Sequence, residues 1–436
     1  MSKLTKLVNT PELFLRDMVE KRVPAIVKPL ITRKPTNEKD SESNSAIVAT
    51  KEASKPDSKN TLDIRHVNFY QNIPFIIHCG ESLAAGSNQL APWIPVFTQA
   101  NRHFLIIVRN EPIYKWLVNT FPWIYVAYAK SASDVEEVIK LLPSLKYVFY
   151  PSSTGNNIHL VRFNHLNHVF IGHGDSDKQS SAHKALRIYD EIWTAGQAHI
   201  DRFHNMDFDT AHLKFLKVGR PNLSKILKNS EQKLPLPKVL YLPTWEGVIE
   251  DTNYSSTHHS GAILHEICSN FNLTIDVKYH PFTGNRNSAL KNINNNTEHM
   301  IIEDNLSSSV IHKDVNIANI IQNYNIFICD ISGVVTECLA ANCPIFVYVP
   351  TDRTVIIAES NMTYHDYCYT YSSLEELSEK LQIVLSGNDY LAEQRAKAID
   401  YFLGHEETLN DKFITQLKGI AENNQPKFIS RLFEDL

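Results

Sequence analysis

The chain alternates short apolar runs with segments of helical pattern, and a polar stretch divides this alternation into two halves. Continuous apolar runs that alternate with helices are typical of parallel β-sheets covered by helices on both faces. The stretch "RPNLSKILKNSEQKLPLPK" between the halves contains three prolines and predicts a hinge. The sequence therefore predicts an α/β protein with two Rossmann-like domains facing a cleft. The candidate strands are "IPFIIH", "HFLIIV", "WIYVAYA", "YVFY", "HVFIG", "EIWTA" and "FLKVG" in the first half, and "VLYLP", "LTIDVKYH", "HMIIE", "IFICD" and "IFVYV" in the second.

Two further segments precede the first domain. Residues 1–34 contain eight Lys/Arg and three Asp/Glu, and their apolar side chains recur at nearly helical spacing. Residues 35–60 contain no aromatic residue and no leucine, which is the composition of a linker. We expect a tethered, basic, amphipathic helical segment that either docks on the globular body or contacts an anionic membrane surface or a capsule-synthesis partner.

The resulting domain prediction has six parts. It comprises a basic N-terminal segment (1–34), a linker (35–60), a first Rossmann-like domain (61–220), a hinge (221–237), a second Rossmann-like domain (238–388) and C-terminal helices (389–436).

Composition excludes several classes of protein. The net charge is −5, which argues against a nucleic-acid binder. The six cysteines form no C-x-x-C pair and mostly lie in hydrophobic runs, as expected for reduced thiols in the cytoplasm. No apolar run approaches the ~20 residues that span a bilayer. We expect a cytoplasmic protein, with a peripheral position on the inner face of the membrane as the alternative.

Residues that follow the candidate strands carry the chemistry of phosphate binding. Ligands of open α/β sheets bind at the carboxyl ends of strands. Ser332 and Gly333 lie at a strand-to-helix turn, where free amides attract anions, and Thr244 is expected at another helix start. Taken singly, Ser332 could be only an N-cap and each cation only a surface charge. The cations that would converge on the cleft are Lys178, Arg220, Lys278 and His280.

The stretch "VFIGHGDSDKQSS" contains the candidate catalytic group. His173 follows a strand and stands between two glycines, so a ligand can approach it closely. A neutral imidazole there can accept a proton from an attacking hydroxyl, and Asp175 could orient the ring. Asp175 and Asp177 invite a metal site, but the adjacent Lys178 would repel a divalent ion, so we expect no metal and no required cofactor. A Walker P-loop and a strand-following G-x-G-x-x-G are both missing.

Four motifs in order carry a resemblance that spans roughly residues 65–405. The segments "HGDSDK", "YLPTWEG", "KYHP" and "ICDISGVVTE" resemble those of the CDP-glycerol glycerophosphotransferase family, which includes teichoic acid primases and polymerases and enzymes of Gram-negative capsule synthesis. The family motif usually has two serines where this chain has Ser332 and Gly333, so a backbone amide must replace one phosphate contact. Its aspartate four residues later is Glu337 here.

The resemblance implies a GT-B fold with the nucleotide in the second domain and the acceptor in the first. It also implies transfer of polyol phosphate from CDP-glycerol or CDP-ribitol to a hydroxyl of a glycan or lipid-linked acceptor, with release of CMP. His173 would be the general base, and Glu337 would accept hydrogen bonds from ribose hydroxyls. The phosphates would be held by Arg220, Lys278 and His280, with Ser332 and Gly333 at the diphosphate.

Three alternatives to this reading remain open. The chain is expected to be a priming or transition enzyme, because little sequence remains beyond the two domains and no repeat is visible, whereas a chain-elongating polymerase is the nearest alternative. The others are a nucleotide-sugar glycosyltransferase of the same fold and a non-catalytic polymer-binding member.

Overall fold

The computed structural model describes residues 72–101, 103–175, 181–223, 226–227, 237–357, 360–404 and 409–422. The predicted N-terminal segment (1–34), the linker (35–60), Asp177 and Lys178 lie outside these ranges. Within them, no helix combines the length and the apolar character that a membrane span requires.

The first half folds into a seven-stranded sheet in which every strand is parallel to its neighbours. The strand order is β3-β2-β1-β4-β5-β6-β7. Its strands are β1 (Phe75–Cys79), β2 (Leu105–Val108), β3 (Tyr125–Tyr128), β4 (Tyr147–Tyr150), β5 (Asn167–Phe170), β6 (Glu191–Thr194) and β7 (Lys214–Lys217).

The second half folds into a six-stranded, fully parallel sheet of order β10-β9-β8-β11-β12-β13. The two doubly wound sheets confirm the predicted α/β fold with two Rossmann-like units. The strands are β8 (Lys238–Leu242), β9 (Thr274–Val277), β10 (Ser308–Val310), β11 (Ile326–Asp330), β12 (Ile345–Tyr348) and β13 (Tyr369–Tyr371).

Helices cover both faces of each sheet, so that apolar clusters form on the two sides of both. This explains why the central strands are apolar throughout rather than alternating. The helices are α1 (Leu83–Leu90), α2 (Trp93–Ala100), α3 (Glu111–Thr120), α4 (Ala132–Lys140), α5 (Ile158–Val161), α6 (Gln197–His204), α7 (Ser260–His265), α8 (Ile293–Glu303), α9 (Gly333–Leu339), α10 (Tyr364–Tyr367), α11 (Leu374–Leu385), α12 (Ala392–Leu403) and α13 (Leu409–Glu422).

Several sequence predictions of local structure were wrong. The run "HMIIE" is the end of helix α8 rather than a strand, and it buries only one face, since Ile302 is 77% exposed. The edge strands β10 and β13 were missed because β10 is short, polar and only partly buried and β13 is short. Helix α4 begins one residue after Ser131, which forms a capping box with Asp134.

The last two helices connect the C-terminal region to the first domain. Helix α12 packs on α6 of the first domain and on α9 and α10 of the second. Helix α13 packs on α2, and its Phe413 belongs to the apolar cluster of the first sheet. The two sheets are therefore joined by packed helices as well as by residues 218–237 of the chain.

Candidate active site

The site lies where the chain order reverses in each sheet. The first strand of each half (β1 and β8) lies next to the fourth (β4 and β11), which makes these pairs the topological switch points. In open α/β sheets ligands bind beyond the carboxyl ends of strands at such points. The described residues of the predicted site lie after β5, β7, β8 and β9, and between β11 and the middle of α9.

His173 follows β5, and its ring is oriented by the backbone of the neighbouring strand. The ring Nδ1 lies 3.0 Å from the carbonyl oxygen of Pro151, just after β4. A carbonyl can only accept, so Nδ1 carries the proton and Nε2 of the neutral ring has the lone pair. Burial and the nearby Arg220 lower the pKa of His173, while the bond to Pro151 opposes this shift. The residue as a whole is exposed to solvent, which leaves a substrate access to it.

Asp175 does not orient His173, which corrects the sequence prediction. Its carboxylate is buried and accepts a hydrogen bond from Nη1 of the fully buried Arg202. Nδ1 of His199, one turn before Arg202 on α6, lies 3.9 Å away. Burial would raise the pKa of Asp175, but Arg202, His199 and Arg220 together hold it below its ordinary value. The carboxylate is thus an ionised partner of α6.

The main chain of Asp175 forms a contact between the two domains. The hydroxyl of Thr336, in α9, donates to its carbonyl oxygen at 2.9 Å. A Cβ added to Gly333 would lie 3.3 Å from the same oxygen, closer than side chains normally approach. A side chain at 333 would therefore push the His173 loop back by a few tenths of an ångström, independently of any ligand.

Arg220, Lys278 and Glu337 come together from both domains. Arg220 is buried, and its guanidinium carbon lies 5.8 Å from the centre of the Trp93 ring. Lys278, also buried, donates to the carbonyl oxygen of Lys313 at 3.0 Å. Burial raises the pKa of Glu337 to about 7, against the opposing effect of Arg220 and Lys278. Burial likewise lowers the pKa values of both cations, while Glu337 raises them.

His280 has the opposite tautomer to His173. Its Nδ1 accepts the backbone N–H of Phe282 at 3.1 Å, so Nε2 carries the proton of the neutral ring. The ring is stacked on Trp245, with centroids 6.2 Å apart and planes inclined by 20°. The site thus contains one imidazole set to accept a proton and one set to donate.

Thr244 does not lie at the predicted helix start, whereas Ser332 lies at the predicted strand-to-helix turn. No helix begins at Thr244, whose loop is held by its N–H bond to the buried Asp330 carboxylate at 2.7 Å. The same carboxylate accepts the N–H of Ser256 at 3.0 Å. Ser332 occupies the N-cap position of α9, but its side chain makes no capping bond and lies 3.2 Å from the carbonyl of Asp330.

Sequence reasoning missed the residues that hold this constellation together. Trp93 donates its indole N–H to Gly172, and Arg202 fixes Asp175. Asp330 was noticed only as part of a motif, although it ties two loops of the second sheet. A carboxylate that closes the apolar run "IFICD" is the signal that could have marked Asp330. Among the described residues, no group of three or more potential metal ligands is present.

Comparison with known proteins gives a family from a family model and a fold from solved structures. The model of the family described as CDP-glycerol:poly(glycerophosphate) glycerophosphotransferase matches residues 164–414. The solved structure of the wall teichoic acid polymerase TagF has a TM-score of 0.53 and 10% identity, and the match covers 80% of this chain and 90% of that chain. HepE from Anabaena, solved with UDP, has a TM-score of 0.50 and 11% identity, with coverage of 80% and 100%. No curated protein sequence is significantly similar to the chain.

The structural likenesses show the fold, and they agree with the predicted GT-B arrangement of two Rossmann-like units. The family model covers more than half of the chain and includes the loops of His173, His280 and Glu337. The chain belongs to the CDP-glycerol:poly(glycerophosphate) glycerophosphotransferase family and is an enzyme of that phosphotransferase type.

Proposed function

We propose that the enzyme transfers glycerol phosphate from CDP-glycerol to an acceptor hydroxyl of a cell-surface polymer and releases CMP. The acceptor oxygen forms a bond to the phosphorus that carries the glycerol, and the bond from this phosphorus to the oxygen of CMP breaks. The hydroxyl proton goes to Nε2 of His173. The observation that carries the proposal is this nitrogen: the Pro151 carbonyl leaves it as a proton acceptor, near the cation Arg220.

The phosphate charge in this reaction is met by the groups around His173. Arg220 and Lys278 are cations with little exposure to water, where electrostatic stabilisation of a transition state is strongest. His280 presents a proton on Nε2 and is proposed to donate it to a phosphate oxygen of the departing CMP. Ser332 and Gly333 keep their proposed place at the diphosphate.

Glu337 is proposed to bind the ribose hydroxyls. Its carboxyl is partly buried between two cations, and its raised pKa of about 7 reflects the cost of ionisation there. A carboxyl in this state can accept a hydrogen bond from one hydroxyl and, when protonated, donate one to another. Lys178 remains a proposed phosphate ligand from the sequence alone.

A screen of donors, with identification of the released nucleotide, tests which reaction the enzyme catalyses. Purified enzyme is offered CDP-glycerol, CDP-ribitol and UDP-sugars with a polyol-phosphate primer, and the released nucleotide is identified by chromatography. The proposal expects CMP from CDP-glycerol. Release of a nucleoside diphosphate from a sugar donor would indicate a glycosyltransferase instead, and release of no nucleotide from any donor would indicate a binding protein.

Activity is expected to survive chelation of divalent ions. Asp175, one of the two aspartates that suggest a metal site, is an ion-pair partner of Arg202, and the proposed phosphate ligands are cationic. Transfer should therefore retain most of its rate after dialysis against EDTA. A loss of at least a hundredfold that added Mg²⁺ or Mn²⁺ restores would contradict the proposal that no cofactor is required.

A second proposal concerns the number of glycerol phosphates that the enzyme adds to one acceptor. We propose priming or transition, in which one or a few glycerol phosphates are added to a glycan or lipid-linked acceptor; the support for this lies in the sequence only. With a short defined acceptor and excess CDP-glycerol, products resolved by size are expected to carry one or a few additions. A long ladder of products would identify an elongating polymerase.

A further inference from the structure

Trp93 contacts three segments at the candidate active site that are far apart in the sequence. It is the first residue of α2 and is only 4% exposed. Its indole N–H donates to the carbonyl oxygen of Gly172 at 2.8 Å. The Arg220 guanidinium lies 5.8 Å from its ring centre, and Phe413 of α13 is stacked on it with centroids 5.0 Å apart and planes inclined by 27°.

The bond to Gly172 acts on the peptide that leads into His173. The carbonyl of Gly172 and the N–H of His173 belong to one planar peptide unit, so fixing the carbonyl fixes the direction in which the histidine leaves the strand. Gly172 has φ +61°, in the left-handed region, where the chain turns out of β5. The indole and the Pro151 carbonyl therefore restrain His173 from two sides, one through its main chain and one through its ring.

The same indole ring of Trp93 also contacts Arg220, the proposed phosphate-binding cation. Arg220 lies at the end of the first domain, after β7, whereas His173 follows β5. A guanidinium over an indole is an attractive pair when water is largely excluded, and Arg220 is only 7% exposed. The stacking partner Phe413 is fully buried and prevents the ring from tilting.

We propose that Trp93 is a positioning residue that sets His173 and Arg220 at a fixed separation, so that the proton acceptor and the phosphate cation meet one donor molecule together. This inference rests on the proposed phosphotransfer and assigns a specific source of its geometry. A misplacement of about 1 Å in such a pair can cost on the order of 100-fold in rate.

The test uses W93F, with W193F as its matched control. Phenylalanine at 93 keeps an aromatic face for Phe413 and Arg220 but removes the bond to Gly172. Trp193 has the same 4% exposure, also contacts Phe413 (centroids 5.4 Å apart) and also donates a buried indole N–H, but to Glu191 at 2.8 Å. Both variants therefore lose one indole bond and the same volume near the same helix.

W93F is expected to lower kcat by about 10- to 100-fold, with KM for CDP-glycerol within about threefold of the wild type. A larger separation between Arg220 and His173 weakens the charge effect that lowers the pKa of the histidine, so the acid limb of the pH–rate profile should move to higher pH. W193F should lower the melting temperature about as much as W93F does. Its kcat should nevertheless stay within about threefold of the wild-type value. In W93L, which also removes the aromatic face below Arg220, KM should rise in addition.

A wild-type kcat in W93F, or an equal loss of kcat in W193F, would overturn the positioning role. Failure of the proposed function is recognised separately, since the wild type would then release no CMP from CDP-glycerol. In that case, the ¹³Cε1–¹H signal of His173, assigned by its absence in H173N, is titrated by NMR. A pKa that rises in W93F but not in W193F supports the positioning role, and equal values in both variants overturn it.

Discussion

Substitution of His173 by alanine is expected to abolish transfer while binding of the donor persists. The loss of a general base usually lowers the rate by ~10²–10⁴-fold. Donor binding should change little because the proposed nucleotide contacts, Lys278, Ser332 and Glu337, belong to the second domain. Single-turnover CMP release measures the first quantity and calorimetric titration with CDP-glycerol measures the second. His165→Ala is the control, since it removes an exposed histidine eight residues earlier.

The pH dependence gives a second test of His173. Its pKa lies below the ordinary value of 6.5, so the ring stays neutral, and able to accept a proton, at neutral pH. The rate should fall as the pH drops through this lowered pKa, separately from the change near pH 7 that the titration of Glu337 adds. H173A with near-native turnover, or a rate that rises on acidification, would remove His173 from the proton-transfer step.

Substitution of Arg202 by methionine is expected to destabilise the protein strongly. Both members of the Arg202–Asp175 pair are buried, with side chains 0% and 2% exposed. Removal of one partner leaves an uncompensated buried charge, which costs about 3–5 kcal/mol of unfolding free energy. Denaturant titration measures the loss. The control is Arg162→Met, whose partner Glu136 is exposed, so that the loss should stay below about 1 kcal/mol.

The sign of the pH effect distinguishes this charge effect from a packing defect. In the wild type the pKa of Asp175 is depressed, so the pair stabilises the fold above the ordinary carboxyl pKa and this contribution is lost as the pH falls through the depressed value. In R202M, burial favours the protonated carboxyl. The difference in unfolding free energy between the wild type and R202M should therefore become smaller as the pH falls. A loss of unfolding free energy in R202M that does not depend on pH, or that is no larger than the loss in R162M, would contradict the charge effect.

The sequence was sufficient for the buried central strands of the sheets but not for the hydrogen bonds that organise the site. Buried parallel strands such as β1 and β11 are apolar along their whole length, so their runs are visible without any knowledge of their neighbours. The strand β10 is not visible in this way, because an edge position permits polar side chains. Helix α8 was misread because its few apolar residues are adjacent at its end.

The partners within the site depend on contacts between distant segments. The orienting partner of His173 is a backbone carbonyl, which every residue type possesses, so no sequence pattern can reveal it. Asp175 was assigned to His173 because it is near in sequence, whereas its carboxylate in fact meets Arg202 on a later helix. Trp93 precedes His173 by 80 residues, and nothing in its neighbourhood marks it as part of a site.

The stacking of Phe413 on Trp93 also has a consequence for biosynthesis. About 320 residues separate the two rings, so at 5–20 residues per second the ribosome takes roughly 16–64 s to produce the second after the first. The last strand of the first sheet ends at Lys217, so for roughly the last 10–39 s of this interval the sheet is complete but one face of Trp93 has no native cover. The nascent first domain thus presents an apolar surface that chaperones can recognise. The packing around Trp93, next to the His173 loop, is complete only when α13 has been synthesised.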